Sequence, residues 1–461
     1  MGITRRQFAA APALLLQRRR RPNLVVLMTD DHGPWATGMS GCASIATPNI
    51  DRLAREGVRF THAFACTPVC SPSRMTWLTG LLPSQHGVQD WLMPEDSYGA
   101  RSRRWLEGLP TWSEVLASQG YRLGMTGKWH MGMDDTPQAG FSFWATVPGG
   151  SGPYRDATFI KNGRPVKTTG FKEDRIGDFA IEFLDQMKGR REPFALLAPF
   201  YAPHTPYDFQ PLEARAPYEN SSFPCFPRLP VHPRQNTGLR RHHNNLESMR
   251  SYSALITAMD SNVGRILARL NEIGAREDTT VVFTADQGWN AGHHGVWGKG
   301  NGTVPFNLYE EAIGVPLIWN HPGRLPAGTV RDDLVSSYDF FPTLMDWLGL
   351  KPPGDSRRTG SSYVKPVRTR DRLFFEYAYT RGVRTLSEKL VLRADNLGNE
   401  YYDLKADPGE TANRYRPGLD LERSLDRWFQ AAGAPPLTQW RTTTRQKLPD
   451  YSDQTPGPAL D

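Results

Sequence analysis

Three apolar runs, each stopping at a cluster of polar residues, constrain this chain more than any other feature. Asn23-Leu24-Val25-Val26-Leu27-Met28 ends in Thr29-Asp30-Asp31. Phe194-Ala195-Leu196-Leu197-Ala198 leads to Tyr201-Ala202-Pro203-His204, and Thr279 to Thr284 ends in Ala285-Asp286-Gln287-Gly288. Continuous apolar runs of this length suit strands buried on both faces, as in a sheet covered by helices. Helical patterns lie between them. Residues 50 to 56 follow Thr47-Pro48-Asn49, which has cap chemistry, and residues 246 to 273 form a long amphipathic pattern that feeds the last run. Strands alternating with helices predict an α/β domain built on a large, mostly parallel sheet. Ligands of such sheets bind beyond the carboxyl ends of the strands, so the polar residues after each run are the first candidates for a site.

At 461 residues the chain exceeds what one hydrophobic core fills. A stretch rich in Pro, Gly and Arg, residues 351 to 372, reads as a linker. Beyond it, residues 372 to 377, 383 to 385, 389 to 393 and 400 to 404 read as short strands, and 419 to 432 as a helix. The expected organisation is a catalytic domain over residues 22–360 and a smaller α+β unit with an antiparallel sheet over 361–461. Its Pro-rich end, from 434 onward, is expected to be an extended tail. No internal repeat is present.

The formal net charge is +7, which alone suggests a nucleic-acid or membrane partner. Six of those charges are Arg5, Arg6, Arg18, Arg19, Arg20 and Arg21, in an N-terminal segment with no acid. The rest of the chain is nearly neutral, so no nucleic-acid partner is expected. Arg5-Arg6 before the apolar run Ala9 to Leu16 resembles a bacterial twin-arginine export signal over residues 1–21, which predicts a periplasmic or secreted protein. A disordered basic arm is the alternative. No stretch is long and apolar enough to span a bilayer. Four cysteines, Cys42, Cys66, Cys70 and Cys225, form no CxxC pair and no dense framework; Cys42 with Cys66 is one candidate bridge.

Asp30-Asp31 and Asp286-Gln287 place hard oxygen donors after two of the runs, as a divalent cation requires. Calcium suits oxygen-only ligation, ahead of magnesium. Ser71-Pro72 in Cys70-Ser71-Pro72-Ser73-Arg74 reads as an N-cap followed by Pro at the first helical position, with Cys70 just before the helix. Helix N-termini favour anions, and Arg74 adds a fixed cationic fork one turn on. A lone Cys reads first as an inert buried residue and second as a low-pKa nucleophile. A soft thiolate conflicts with a carboxylate-bound hard cation. The conflict disappears if oxygen replaces the sulfur.

Cys70 to Gly80, with Leu78-Thr79-Gly80 at its end, matches the Cys-x-Pro-Ser-Arg and Leu-Thr-Gly signature of the type I sulfatases. The chain resembles that family over roughly residues 22 to 410, including Gly127-Lys128-Trp129-His130, Ala202-Pro203-His204, Gly298-Lys299, Tyr402-Asp403-Leu404 and Asp407-Pro408-Gly409-Glu410. The resemblance implies an alkaline phosphatase-like fold and a separate maturation enzyme that oxidises Cys70 to formylglycine. The hydrated aldehyde is a geminal diol: one hydroxyl attacks sulfur and displaces the alcohol, giving a covalent sulfoenzyme; the other then loses its proton, and the aldehyde reforms with expulsion of sulfate. It further implies a metal held by Asp30, Asp31, Asp286, Gln287 and the modified Cys70. Lys128 and Lys299 would bind sulfate, with Arg74 as a fixed cation. His130 would orient the diol, and His204 would bind sulfate or protonate the leaving group; the proton donor is the reading taken here. Gln287 departs from the Asn or His usual at its position, and its side chain is one methylene longer than that of Asn.

A phosphonate monoester hydrolase or phosphodiesterase of the same superfamily is the enzymatic alternative, and a non-catalytic binder of sulfated glycans the other. Cys70 and a single metal cluster favour sulfate. Trp91, Trp289, Trp297 and Arg381 are candidates for outer subsites, and a sulfated oligosaccharide is the expected substrate ahead of a sulfated small molecule.

Overall fold

Each of the three apolar runs lies at the centre of one sheet in the computed structural model, which describes residues 21–365 and 370–442. In chain order the strands are β1 (Asn23–Thr29), β2 (Val58–Phe64), β3 (Arg122–Gly127), β4 (Phe143–Thr146), β5 (Thr158–Lys161), β6 (Arg164–Lys167), β7 (Phe194–Pro199) and β8 (Thr279–Ala285). The two-residue strands β9 (Asn290–Ala291) and β10 (Trp297–Gly298) pair with each other, and β11 (Leu317–Asn320) and β12 (Thr329–Ser336) return to the sheet. The large sheet has the order β12-β2-β11-β8-β1-β7-β3-β4-β5-β6. Its centre, β8-β1-β7-β3-β4, is parallel; β11 is antiparallel to both neighbours, and β4-β5-β6 form an antiparallel end.

Alternate residues of β1 face opposite layers. Val25 and Leu27 pack with the helices Lys172–Met187 and Leu246–Glu272, through Ile176, Leu255 and Ile266. Leu24, Val26 and Met28 pack with the helices Cys70–Thr79 and Phe340–Leu348, through Met75, Leu78 and Leu344. Both faces are therefore apolar, which is why the run has no alternation. Each fully buried aliphatic side chain contributes roughly 1.5–3 kcal/mol.

The C-terminal strands β13 (Arg372–Tyr377), β14 (Thr380–Thr385), β15 (Glu388–Arg393) and β16 (Glu400–Asp403) make a four-stranded antiparallel sheet. The helix Asp420–Ala431 covers one face through Leu421, Leu425 and Phe429. The sheet is tied to the larger body by charge: Lys389 and Arg384, both buried, pair with Glu310 at 3.1 and 2.9 Å. The stretch expected as a linker is strapped down as well, for Arg358 donates to the carbonyls of Thr79 at 2.8 Å and Pro110 at 3.0 Å.

Several local expectations change. The helix Pro48–Arg55 is not capped by Thr47, whose hydroxyl donates to Asp51. Asp260, from the facing helix, accepts the Asn49 and Ile50 amides instead, at 3.1 and 2.8 Å. Cys42 pairs with Cys225 and not with Cys66, which stays a buried thiol. Residues 437–442 form a 3-10 turn where a tail was expected. All but the last residue of the segment 1–21 expected to be an export signal, and the end of the tail, residues 443–461, lie outside the described residues.

The Cys42–Cys225 bridge closes a loop of 183 residues. Long loops gain most from such a cross-link, and the loss on removal is roughly 2–5 kcal/mol. Cys42→Ser with Cys225→Ser is expected to lower the melting temperature and to abolish its sensitivity to reductant. A wild-type melting curve that reductant does not move would contradict the bridge.

Candidate active site

Strand register assembles the site before any side chain does. In the parallel pairing of β1 with β8, Thr29 stands opposite Ala285, so Asp30 and Asp286 leave the sheet side by side. Met28 stands opposite Pro199 in β7, and the Phe200 amide donates to the Met28 carbonyl at 2.8 Å. The Lys128 amide, just past β3, donates to the Pro199 carbonyl at 2.8 Å. Four adjacent strands thus deliver Asp286, Asp30, the His204 turn and Lys128 along one carboxyl edge. Gly127 makes this crossing close, because a Cβ there would sit 2.0 Å from the Pro199 carbonyl oxygen.

Cys70 is the first residue of the helix Cys70–Thr79, which starts two residues earlier than the Ser71 cap and Pro72 start expected from sequence. Ser71 instead accepts the Leu92 amide at 3.0 Å. Arg74, one turn along, fixes this helix to the strand ends. Its Nε donates to Asp286 at 2.8 Å, a terminal nitrogen donates to Asp30 at 3.2 Å, and the other donates to the Lys128 carbonyl. Ser73 donates to the Asp286 carbonyl.

Around the Cys70 sulfur stand Lys299 Nζ at 2.8 Å, Asp30 Oδ1 at 3.4 Å, Gln287 Nε2 at 3.5 Å and Lys128 Nζ at 3.7 Å. Lys299 also pairs with Asp31 at 2.7 Å, Lys128 pairs with Asp30, and His204 Nε2 lies 3.6 Å from Asp31. All the expected site residues except His204 are nearly or fully buried; His204 keeps 20% exposure and forms the open edge. Asp31 and His130 hold φ values of 62° and 60°, left-handed backbone that costs non-glycine residues free energy and clusters at functional sites.

The field here is strong. Burial raises the Asp30 carboxyl, but Lys128, His204, Arg74 and Lys299 together hold it well below the usual carboxylate range. Burial, with Asp30 beside it, pushes Asp286 up. Burial and then Asp30 push the Cys70 thiol up to about 12, against the pull of Lys128 and Lys299. His204 is held down at about 4, first by burial and then by Lys128. Its Nδ1 faces the Thr205 carbonyl, so the proton sits there and Nε2 is the bare nitrogen. His130 donates from Nε2 to the Leu92 carbonyl at 2.8 Å, which leaves a buried Nδ1 without a hydrogen-bond partner among the described residues.

Gln287 points its amide between the two carboxylates, with Nε2 2.7 Å from Asp31 Oδ1 and 3.2 Å from Asp30 Oδ1, while Oε1 is buried without a partner. The two ends of an amide are alike in shape. Exchanging them turns the inner wall into an all-oxygen set of Asp30, Asp31 and Gln287, the donor chemistry that suits a hard divalent cation.

The sulfatase family model matches residues 22–350, and a model for the C-terminal part of N-sulphoglucosamine sulphohydrolase matches residues 292–420. The chain belongs to the sulfatase family. An N-acetylglucosamine-6-O-sulfatase of Bacteroides thetaiotaomicron is 27% identical, over 86% of this chain and 83% of its own. Arylsulfatase A of Homo sapiens is 28% identical, over 91% and 85%. A solved structure described as in complex with its substrate D-glucosamine-2-N,6-O-disulfate matches with a TM-score of 0.75 at 25% identity, covering 90% of this chain and 98% of that one. This sulfatase is therefore a sulfuric ester hydrolase of the alkaline phosphatase superfamily.

Three of the four outer-subsite candidates fall away. Trp289 and Trp297 are core residues of the sulfatase, and Arg381 is buried against Glu376 at 2.8 Å. Trp91 is half-buried against the C-terminal cluster. Trp129 packs edge-on against Trp144. A buried support under His204 carries no signal in the sequence. Lys172 Nζ sits 3.7 Å over the Tyr201 ring and donates to the Gly152 carbonyl at 2.7 Å. Glu173 accepts the Tyr201 amide at 3.1 Å, and the Tyr154 hydroxyl donates to the His204 carbonyl at 2.8 Å. Burial pushes Lys172 down and Glu173 up. In sequence the pair looks like an ordinary charged first turn, and only burial sets it apart.

A thiol raised to about 12 has almost no thiolate at neutral pH, because ionisation sets in only as pH approaches the pKa. Folded protein that retains the Cys70 thiol is expected to resist iodoacetamide at pH 8 and to react after unfolding. Rapid labelling of Cys70 in the folded protein would overturn this account of the field.

Proposed function

We propose that this sulfatase hydrolyses sulfate esters of carbohydrates, with a formylglycine made from Cys70 by a maturation enzyme and with a bound calcium ion. The observation that carries the reading is Cys70 itself. It opens the helix in the full Cys-Ser-Pro-Ser-Arg signature, between carboxylates and two lysines, in a field that suppresses its thiolate. A sulfur that does not ionise is a poor nucleophile, whereas an oxygen at the same place suits hard ligands. The oxidised residue supplies a hydroxyl nucleophile and a route for expelling sulfate.

Asp30, Asp31, Asp286 and Gln287 would hold the cation together with residue 70, and oxygen donors suit calcium ahead of magnesium. There it would lower the pKa of the hydroxyl beside it. Asp30, Asp31 and Asp286 are matched by Arg74, Lys128 and Lys299, so a divalent ion gives the site a net positive charge for a sulfate monoanion. Lys128 and Lys299 come from different strand ends and approach the sulfuryl oxygens from two sides. Arg74 acts through the carboxylates that it holds. His130 Nδ1, left as an acceptor because Nε2 donates to the Leu92 carbonyl, would orient a hydroxyl at residue 70 and take its proton.

The leaving alcohol needs a proton, and His204 at the open edge is the proposed donor once its Nε2 has taken one up, which an incoming sulfate anion favours. Lys299 is the second reading, favoured because burial and Lys128 keep the His204 imidazole neutral while Asp31 keeps Lys299 charged. A sugar as the alcohol is supported by the relative named for N-acetylglucosamine 6-O-sulfate and by the neighbour bound to a glucosamine disulfate. A periplasmic or secreted location, reached through Arg5 and Arg6, is supported by the Cys42–Cys225 bridge, since disulfides persist in oxidising compartments. Among the described residues no helix is long and apolar enough to cross a membrane.

Protein from a host with the maturation enzyme is expected to carry an aldehyde at position 70 by peptide mass spectrometry. It is also expected to lose activity on chelation and regain it on adding calcium. Full activity from unoxidised Cys70 would sink the mechanism.

His204→Ala is expected to slow esters of basic alcohols about a hundredfold to ten-thousandfold, and activated aryl sulfates far less. The check is kcat/KM across a series of leaving-group pKa values. Equal loss along the series would assign His204 to sulfate binding and leave Lys299 as the donor.

A further inference from the structure

Between Glu219 and Glu247 the chain has no acidic residue, yet it carries Arg228, Arg234, Arg240 and Arg241. This stretch is folded against both segments of the leaving-group side. Gln235 accepts the Trp297 amide at 2.8 Å and donates to the Trp297 carbonyl at 3.1 Å, and the Asn236 amide donates to the Gly302 carbonyl at 2.7 Å. These bonds bracket Lys299. On the other side the His242 ring stands 5.2 Å from that of Tyr207, three residues beyond His204, and 6.2 Å from that of Trp297 in a stacked arrangement.

The 3-10 turn Arg240–His242 decides which way the charges face. Residues three apart lie on one side of such a turn. Leu239, close against Gly298, and His242 therefore face inward, and Arg240 and Arg241 are exposed. Neither arginine is paired with a carboxylate among the described residues. Elsewhere on the surface Arg215, Arg250, Arg265 and Arg269 are each matched to an acid. Burial and Arg241 hold His242 near 4, so the charge of the turn is that of its guanidinium groups.

We infer that this turn is a docking surface for anionic groups on the alcohol portion of the substrate. The favoured substrate is then a saccharide bearing at least one sulfate or carboxylate besides the sulfate that is cleaved. The inference rests on the carbohydrate-sulfatase reading and narrows it. A guanidinium offers two parallel donors that match the oxygens of sulfate or carboxylate, and its field reaches about 8–10 Å at moderate salt. A sugar whose single charged group is the sulfate to be cleaved leaves these two charges unused.

The test compares the matured wild type with the double variant Arg240→Ala, Arg241→Ala on three substrates. These are an aryl sulfate, a monosulfated saccharide, and the same saccharide with a second sulfate away from the scissile one. In the wild type, kcat/KM is expected to favour the disulfated over the monosulfated saccharide by about tenfold or more, the equivalent of about 1.4 kcal/mol. That ratio is expected to fall toward one in the double variant and with added salt, and to recover in part in Arg240→Lys, Arg241→Lys. A wild-type ratio near one, or a ratio the double variant leaves unchanged, overturns the docking surface while the carbohydrate reading stands. Turnover of the aryl sulfate but of neither saccharide overturns the carbohydrate reading, and the docking surface with it.

Discussion

Everything at the catalytic edge depends on Arg74 joining Asp30 to Asp286. The parallel register of β1 and β8 forces two carboxylates out side by side from a sheet covered on both faces, where like charges repel strongly. One guanidinium, bonded to both, makes that arrangement tolerable. Breaking a buried pair by removing one partner typically costs about 3–5 kcal/mol, because a charge is stranded away from water. The same bonds dock the helix Cys70–Thr79 across the strand ends. Its first residue therefore lands among the carboxylates, and not over the neighbouring hydrophobic layer.

The site divides into two halves with different supports. The acidic half, Asp30, Asp31, Asp286 and Gln287, hangs directly from β1 and β8 and inherits the rigidity of the central sheet. Lys128 joins it from β3. The open half, His204 and Lys299, comes from longer turns held by side chains: Lys172, Glu173 and Tyr154 under His204, and Gln235 with Asn236 around Lys299. On the proposed chemistry the first half, with Lys299, would meet the sulfate, and His204 would meet the alcohol that carries it.

The central strands were legible because burial on both faces removes alternation, and the run of apolar residues in β1 says so directly. Asp30, Asp286 and His204 were legible from their position just past those runs, and Cys70 and Arg74 from the signature. What failed depended on contacts distant in sequence. The cap of the helix Pro48–Arg55 comes from Asp260, more than two hundred residues on. The partner of Cys42 is Cys225, chosen by a fold that no spacing rule encodes. Trp289, Trp297 and Arg381 read as surface recognition groups because large aromatic and charged residues are common there. Here the two tryptophans fill the core, and Arg381 lies inside the C-terminal unit over Phe429. Lys172 and Glu173 carried no mark at all, since a buried pair and a solvated pair are spelled alike.

Cys70 is 2% exposed and begins a helix pinned by Arg74. No second protein can take hold of that segment once the sheet has closed over it. On the proposed chemistry, oxidation of the thiol must then run ahead of folding, and the two processes compete for each new chain. Sheets built from strands far apart in sequence close slowly, and β1 waits for β7 and β8, made long after it. The topology that shelters the finished site also sets how long its central residue stays within reach. On that chemistry the active fraction of a preparation would be fixed by a race during synthesis, and a variant that folds faster without being any less stable would emerge less active.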